Sequence, residues 1–171
     1  MNNSLVITAL GFDKPGIVSE LTGIVTEYNG NIQESKMLSL GSEFVVMMLV
    51  TIDISIQETL IKALEEVDGL NISTKNTKLQ KLSTDEVHYK IKLNGADNEG
   101  IVNVLSNYLT KESMNIVDLE TKIINAPVTG APIFNLKAMT TVSKLKNINE
   151  IQSDLSQIAN KLGIEISITN Y

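Results

Sequence analysis

Ile7-Thr8-Ala9-Leu10-Gly11-Phe12-Asp13-Lys14-Pro15-Gly16-Ile17-Val18 recurs later in the chain, altered but in step, as Ile91-Lys92-Leu93-Asn94-Gly95-Ala96-Asp97-Asn98-Glu99-Gly100-Ile101-Val102. Gly11 and Gly95, Asp13 and Asp97, Gly16 and Gly100, Ile17 and Ile101, and Val18 and Val102 all share one spacing of 84 positions (16 to 100). The match continues without a gap through Leu21 and Leu105 to Asn31-Ile32 and Asn115-Ile116. Self-similarity at a fixed period marks a repeated structural unit. The 171 residues therefore read as two domains, 1–82 and 87–171, with a short linker at 83–86.

The first copy opens on Leu5 to Leu10, an apolar, β-branched run that reads as a strand. Gly11 begins a turn. Pro15 suits a first helical position, where its missing N–H has no partner to lose, which places Asp13 or Lys14 at the cap. Ile17, Leu21, Ile24, Val25 and Tyr28 then fall on one helix face, and Asn29-Gly30 stops it. Ile32 to Leu40 is a half-buried strand. Gly41-Ser42 turns the chain into Phe44 to Ile52, whose near-continuous apolar character suits a central strand. Ser55 and Glu58 have capping-box spacing ahead of a stripe of Ile56, Leu60, Ala63, Leu64 and Val67. Leu70 to Leu79 is the last strand.

The second copy keeps this order. Strands are expected at Val87 to Leu93, Ile116 to Ile124, Ile133 to Val142 and Ile164 to Thr169. Helices are expected at Glu99 to Glu112 and Ile148 to Leu162. One segment departs from the repeat: Asn125 to Pro132 is longer than Gly41-Ser42, and is read either as a partner contact or as a tolerated surface insertion. Each half is thus βαββαβ. Crossover handedness folds that order into an antiparallel sheet with both helices on one face, the ferredoxin-like arrangement. The class is α+β. A sheet face without helices needs a cover, either another copy or a partner, and a homo-oligomer is expected.

Composition narrows the function. Net charge is −6, and the 14 basic residues are all lysine. Nucleic-acid affinity comes mainly from cations on phosphates, and guanine readout favours arginine, so no direct nucleic-acid contact is expected. Cysteine is absent, which removes disulfides and thiolate chemistry. His88 is the single histidine, with no ligand cluster around it in sequence, so no metal or catalytic site is expected. No apolar run approaches the length of a membrane span, and Met1-Asn2-Asn3-Ser4 lacks a signal-peptide pattern. A cytoplasmic location fits, with no membrane association and no cofactor.

The repeated elbow carries the chemistry. A strand running into a helix start presents free backbone N–H groups and a partial positive charge, which suit a ligand carboxylate. Gly16 and Gly100 leave room for a ligand near the backbone, or else serve tight helix–strand packing. Asp13 and Asp97 can pair with a ligand ammonium group or act as caps. Asn31 and Asn115 offer both donor and acceptor to a zwitterion, or simply favour a turn. Glu99 stands where the first copy has Pro15, and its charge disfavours a carboxylate ligand in the second copy.

The segment Leu5 to Val18, with Asn31-Ile32 and Gly41-Ser42-Glu43-Phe44, resembles an ACT domain. The two-copy layout of the whole chain is similar to the tandem-ACT glycine cleavage system transcriptional repressors. The resemblance implies two ACT domains that bind an amino acid such as glycine where domains meet, and that dock on a DNA-binding transcriptional regulator rather than on DNA. The implied ligand-binding set is Gly11, Phe12, Asp13, Lys14, Pro15, Gly16, Ile17, Asn31, Ile32, Asp97, Asn98, Gly100 and Asn115. It implies a non-catalytic regulator. An acylphosphatase-like enzyme on the same fold is the competing reading, and the lack of arginine speaks against it. An RNA-binding module shares the topology but calls for a basic face with aromatics, and aromatics are 4% here.

Overall fold

The computed structural model describes residues 2–78, 86–126, 130–143 and 147–171. The chain divides into two compact units, Met1–Lys81 and Leu82–Tyr171. Of the expected linker, residues 83–85 lie outside the described residues, and Glu86 already belongs to a strand. Residues 127–129 of the long loop also lie outside them.

The first unit runs β1 (Asn2–Phe12), α1 (Ile17–Glu27), β2 (Asn31–Leu40), β3 (Glu43–Asp53), α2 (Gln57–Glu65) and β4 (Leu70–Thr77). The second runs β5 (Glu86–Ala96), α3 (Ile101–Lys111), β6 (Asn115–Asn125), β7 (Pro132–Ser143), α4 (Ile148–Leu162) and β8 (Ile164–Asn170). Each unit forms a four-stranded sheet, ordered β2-β3-β1-β4 and β6-β7-β5-β8, and every pairing is antiparallel. These are two ferredoxin-like units.

The duplication extends to register. Gly11 sits opposite Phe44 and Gly95 opposite Phe134. Asn31 sits opposite Thr51 and Asn115 opposite Thr141. Both outer hairpins slip at the same place, between Ile32 and Glu34 and between Ile116 and Asp118. The bulge resets which side chains of β2 and β6 point inward.

Alternation along β1 sends Leu5, Ile7 and Ala9 to the helix side, where Val46, Met48, Val50 and Ile52 of β3 join them. Ile17, Leu21 and Val25 of α1 and Leu60 and Leu64 of α2 close that core. The second unit builds the same core from Ile91, Leu93, Ile101, Leu105, Leu109, Leu136, Ile151 and Leu155. Burying each such side chain contributes about 1.5–3 kcal/mol. Just beyond α1 and α3 the chain turns through Asn29 and Ser113, both left-handed at φ 55.

Two expected caps do not form. Helix α1 begins at Ile17 with Gly16 as its N-cap residue, so Pro15 and Asp13 precede it. Helix α3 likewise begins at Ile101 after Gly100, not at Glu99. Helix α2 has Ile56 at its N-cap with no side-chain hydrogen bond. The Ser55 hydroxyl is instead engaged by Asp53. Both the amide and the hydroxyl of Ser55 donate to Asp53 Oδ1, at 2.9 and 2.6 Å, so the side chain that was to accept from the helix acts as a donor. Gly11 does not end β1 either. The ladder continues through Phe12.

The Ser55 hydroxyl and amide hold the Asp53 carboxyl well below the usual carboxylate range. Its folded-state pKa is depressed, so the ionised group stabilises the fold above the unfolded value of about 3.9. That contribution is lost as pH falls through the lower folded value. Asp53→Ala is expected to lower the melting temperature at neutral pH. The gap to the parent chain should close as melting is repeated below about pH 4.

Candidate functional site

The turn between β1 and α1 is fixed on both sides. The Asp13 amide donates to the Ser42 carbonyl at 2.9 Å, and Ser39 Oγ donates to Asp13 Oδ2 at 2.8 Å. Asp13 thus ties the elbow to the β2–β3 turn rather than capping α1. Lys14 Nζ donates to the Asp68 carbonyl at 3.4 Å. In the second unit Asn98 Nδ2 donates to the Leu162 carbonyl at 3.0 Å. These carbonyls are equivalent, because Leu70 pairs with Gly11 and Ile164 with Gly95. Different side chains at one repeat position make the same latch from elbow to second-helix end.

Two glycine pairs have separate jobs. A Cβ at Gly11 would collide with the Gly69 carbonyl oxygen, and one at Gly95 with Ile164. At Gly16 and Gly100, read either as room for a ligand or as close helix–strand packing, a Cβ meets nothing within 4 Å. They are needed for conformation, at φ 100 and φ 80. Gly16→Ala is expected to cost about 1–2 kcal/mol of stability, the strain of an L-residue in the left-handed region, read by denaturant melts.

A concavity opens at each elbow. The first, about 520 Å³, is lined by Asp13, Lys14, Pro15, Gly16, Ile17, Val18, Ser19 and Phe44. The second, about 540 Å³, is lined by Asp97, Asn98, Glu99, Gly100, Ile101, Val102, Asn103, Ser106 and Phe134. No side chain caps α1 or α3. The first intrahelical bonds are Glu20 N–H to the Gly16 carbonyl, 2.8 Å, and Val104 N–H to the Gly100 carbonyl, 2.9 Å. The amides of residues 17–19 and 101–103 precede the helical ladder and are available to an acceptor. The first rim carries one carboxylate and one ammonium group. The second carries Asp97 and Glu99, so it is poorer for an anion.

The expected residues separate into those at the concavities and those elsewhere. Asp13, Lys14, Pro15, Gly16, Ile17, Asp97, Asn98 and Gly100 line them. Gly11 lies behind, packed on β4. Phe12 pairs with Glu43 and is 67% exposed on the opposite sheet face from Gly11. Asn31 and Ile32 stand at the far end of the first sheet. Seven positions of β3 separate Phe44 from Thr51 opposite Asn31, about 23 Å. Asn115 is equally distant from Phe134 in the second sheet. Within one unit these asparagines and the elbow cannot hold one amino acid.

Phe44 and Phe134 are the residues that sequence reasoning missed. Each forms an apolar wall opposite the elbow glycine, and each packs partly on its core. The available signal was an aromatic residue near the start of the third strand of each copy. In the second copy the longer β6–β7 loop shifts the repeat spacing from 84 to 90 (44 to 134), which hides the match. Among the described residues, no group of three or more His, Cys, Asp or Glu could hold a metal ion. Among the same residues, no helix is long and apolar enough to cross a membrane.

A family model described as an ACT domain matches residues 3–75. The glycine cleavage system transcriptional repressor of Escherichia coli (strain K12) is 49% identical over 47 residues, 28% of this chain and 25% of the relative. The chain thus aligns with about a quarter of that relative's length. UPF0237 protein MK1213 of Methanopyrus kandleri is 37% identical over 68 residues, 36% of this chain and 76% of the relative. Among solved structures, an unknown protein from Galdieria sulphuraria superposes with a TM-score of 0.88 at 28% identity, covering 100% of this chain and 99% of that one.

Proposed function

This chain belongs to the ACT-domain family, and from that premise we propose that it is a non-catalytic cytoplasmic regulator whose β1–α1 elbow senses an amino acid such as glycine. The observation that carries the reading is the paired concavity at the uncapped starts of α1 and α3. A ligand carboxylate fits the amides of Ile17, Val18 and Ser19, where the helix dipole favours negative charge. Asp13 faces the same rim and suits the ligand ammonium group. Phe44 supplies the apolar wall. The first unit is the stronger binder, because Glu99 and Asp97 repel a carboxylate in the second. The output is a protein contact: ligand occupancy alters docking on a DNA-binding transcriptional regulator that controls amino-acid metabolism, in keeping with the repressor relative.

Thermal-shift measurements on the full chain against the common amino acids test the sensing step. A ligand at about 100 times its dissociation constant should stabilise the unit by about 2.7 kcal/mol. Lys14→Glu, which gives the first elbow the charge balance of the second, should abolish that shift. If no amino acid raises the transition, sensing is refuted. Hydrolysis of an acyl phosphate by the purified chain would replace the regulatory reading with an enzymatic one.

A further inference from the structure

The helix-free faces of the two sheets have diverged, although the backbones repeat. In the first unit the cross-strand rows of this face are Leu38–Val45–Leu10–Asn71, Lys36–Met47–Thr8–Ser73 and Glu34–Leu49–Val6–Lys75. Leu10, Phe12, Leu38, Leu40 and Met47 are each 46–71% exposed there. At the matching positions the second unit has Lys122–Asn135–Asn94–Glu165, Glu120–Lys137–Lys92–Ser167 and Asp118–Met139–Lys90–Thr169. Its face is a charged lattice, with Lys122 Nζ 2.6 Å from Glu120 Oε1. Over those three rows the same fold therefore tolerates a polar face; the second unit keeps an apolar row only at Ile124–Ile133–Ala96, whereas in the first unit apolar residues spread over the face. An apolar patch held in the open signals an interface.

We propose that the helix-free face of the first sheet is a homodimer interface, occupied by the same face of a second copy of this chain. Two observations favour that occupant. The first is size. Four strands by about nine residues make a face of roughly 19 by 30 Å, on the order of 600 Å² a side, comparable with the about 800 Å² per partner of stable complexes. The second is charge. Glu34 and Lys75 stand at opposite edges of one row, three strand spacings or about 14 Å apart, too far to pair within one chain. A second copy turned about an axis parallel to the strands lays β2 over the partner's β4. Glu34 then meets the partner's Lys75, twice by symmetry, with Leu49 over Val6 and Val45 over Leu10 between the two pairs. An isologous contact needs such self-complementarity. A face of the second unit's chemistry would instead set Lys92 on Met47 and Lys90 on Leu49, at a desolvation cost.

Light scattering on the eluting full chain tests this, with variants at positions where the second unit already carries charge. The parent chain should be a dimer. Met47→Lys copies Lys137 of the second unit and should yield a monomer with an unchanged circular dichroism spectrum. Glu34→Lys and Lys75→Glu should each weaken the dimer about tenfold or more. The double exchange Glu34→Lys with Lys75→Glu should restore it to near the parent affinity. These edge positions are exposed, so the exchange stays informative even if Met47→Lys fails to fold. A chain that is monomeric up to about 100 µM, with or without a different protein bound on this face, overturns the proposal. So does a dimer indifferent to Met47→Lys, or a charge exchange that gives no rescue.

Discussion

Gly11→Val is expected to lower the unfolding free energy of the first unit by about 3 kcal/mol, with the loss read as a shifted denaturant midpoint. Gly11 lies in the middle of three paired strands, opposite Phe44 on one side and Leu70 on the other. A Cβ there meets the Gly69 carbonyl oxygen and the Leu70 side chain. Backbone cannot move aside without breaking the β1–β4 ladder, so the clash is not relieved by a rotamer change. The same substitution at Gly95 meets Ile164 by way of its Cγ2, Cβ and Cα atoms and should be nearly as damaging. Gly16→Ala, in open space, should cost less than either. If the order were reversed, the division of labour between the glycine pairs would be wrong.

Leu21→Ala should cost about 2–5 kcal/mol, the range for deleting a buried leucine from a packed core. Leu21 has no exposed surface, whereas Val18 one turn earlier is 40% exposed. Val18→Ala should therefore change stability by no more than about 0.5 kcal/mol. Leu105 is the equivalent of Leu21, and Leu105→Ala should act on the second core alone, since the two cores share no residue. Denaturant melts of the three variants separate the buried helix face from the face beside the concavity.

The strand and helix order was readable because the repeat offered each element twice. The apolar, β-branched run Leu5 to Leu10 marked a strand without showing which face is buried, while the helical spacing of Ile17, Leu21 and Val25, matched by Ile101, Leu105 and Leu109, marked the buried helix face. The helix starts were misread for a local reason. Pro15 and Ser55 are good cap-region residues by type, but a competing bond claimed each neighbourhood: Asp13 is drawn to Ser39 and Ser42, and Ser55 to Asp53. Capping preference is worth about 1 kcal/mol, small enough for such contacts to redirect. The left-handed residue fell to Gly16 because only glycine holds that conformation without strain.

The site was half legible. The elbow could be read because its residues are consecutive. Asn31 and Asn115 have the donor and acceptor a zwitterion needs, but a helix and its loop return the chain to the opposite end of the sheet. The bulges after Ile32 and Ile116 left no mark in residue type. Phe134 was hidden by the lengthened β6–β7 loop. Phe12 was included through its neighbours, yet strand alternation turns it away from the elbow and onto the apolar face.

The central claim is that free amides at the head of α1 receive the ligand carboxylate. The most direct test is a titration of the ¹⁵N-labelled chain with glycine and then the other amino acids, followed amide by amide. The account predicts saturable shifts centred on Gly16, Ile17, Val18 and Ser19, weaker or absent at Gly100 to Asn103. Shifts confined to the Asn31 end of the sheet, or a spectrum that no amino acid alters, would contradict it.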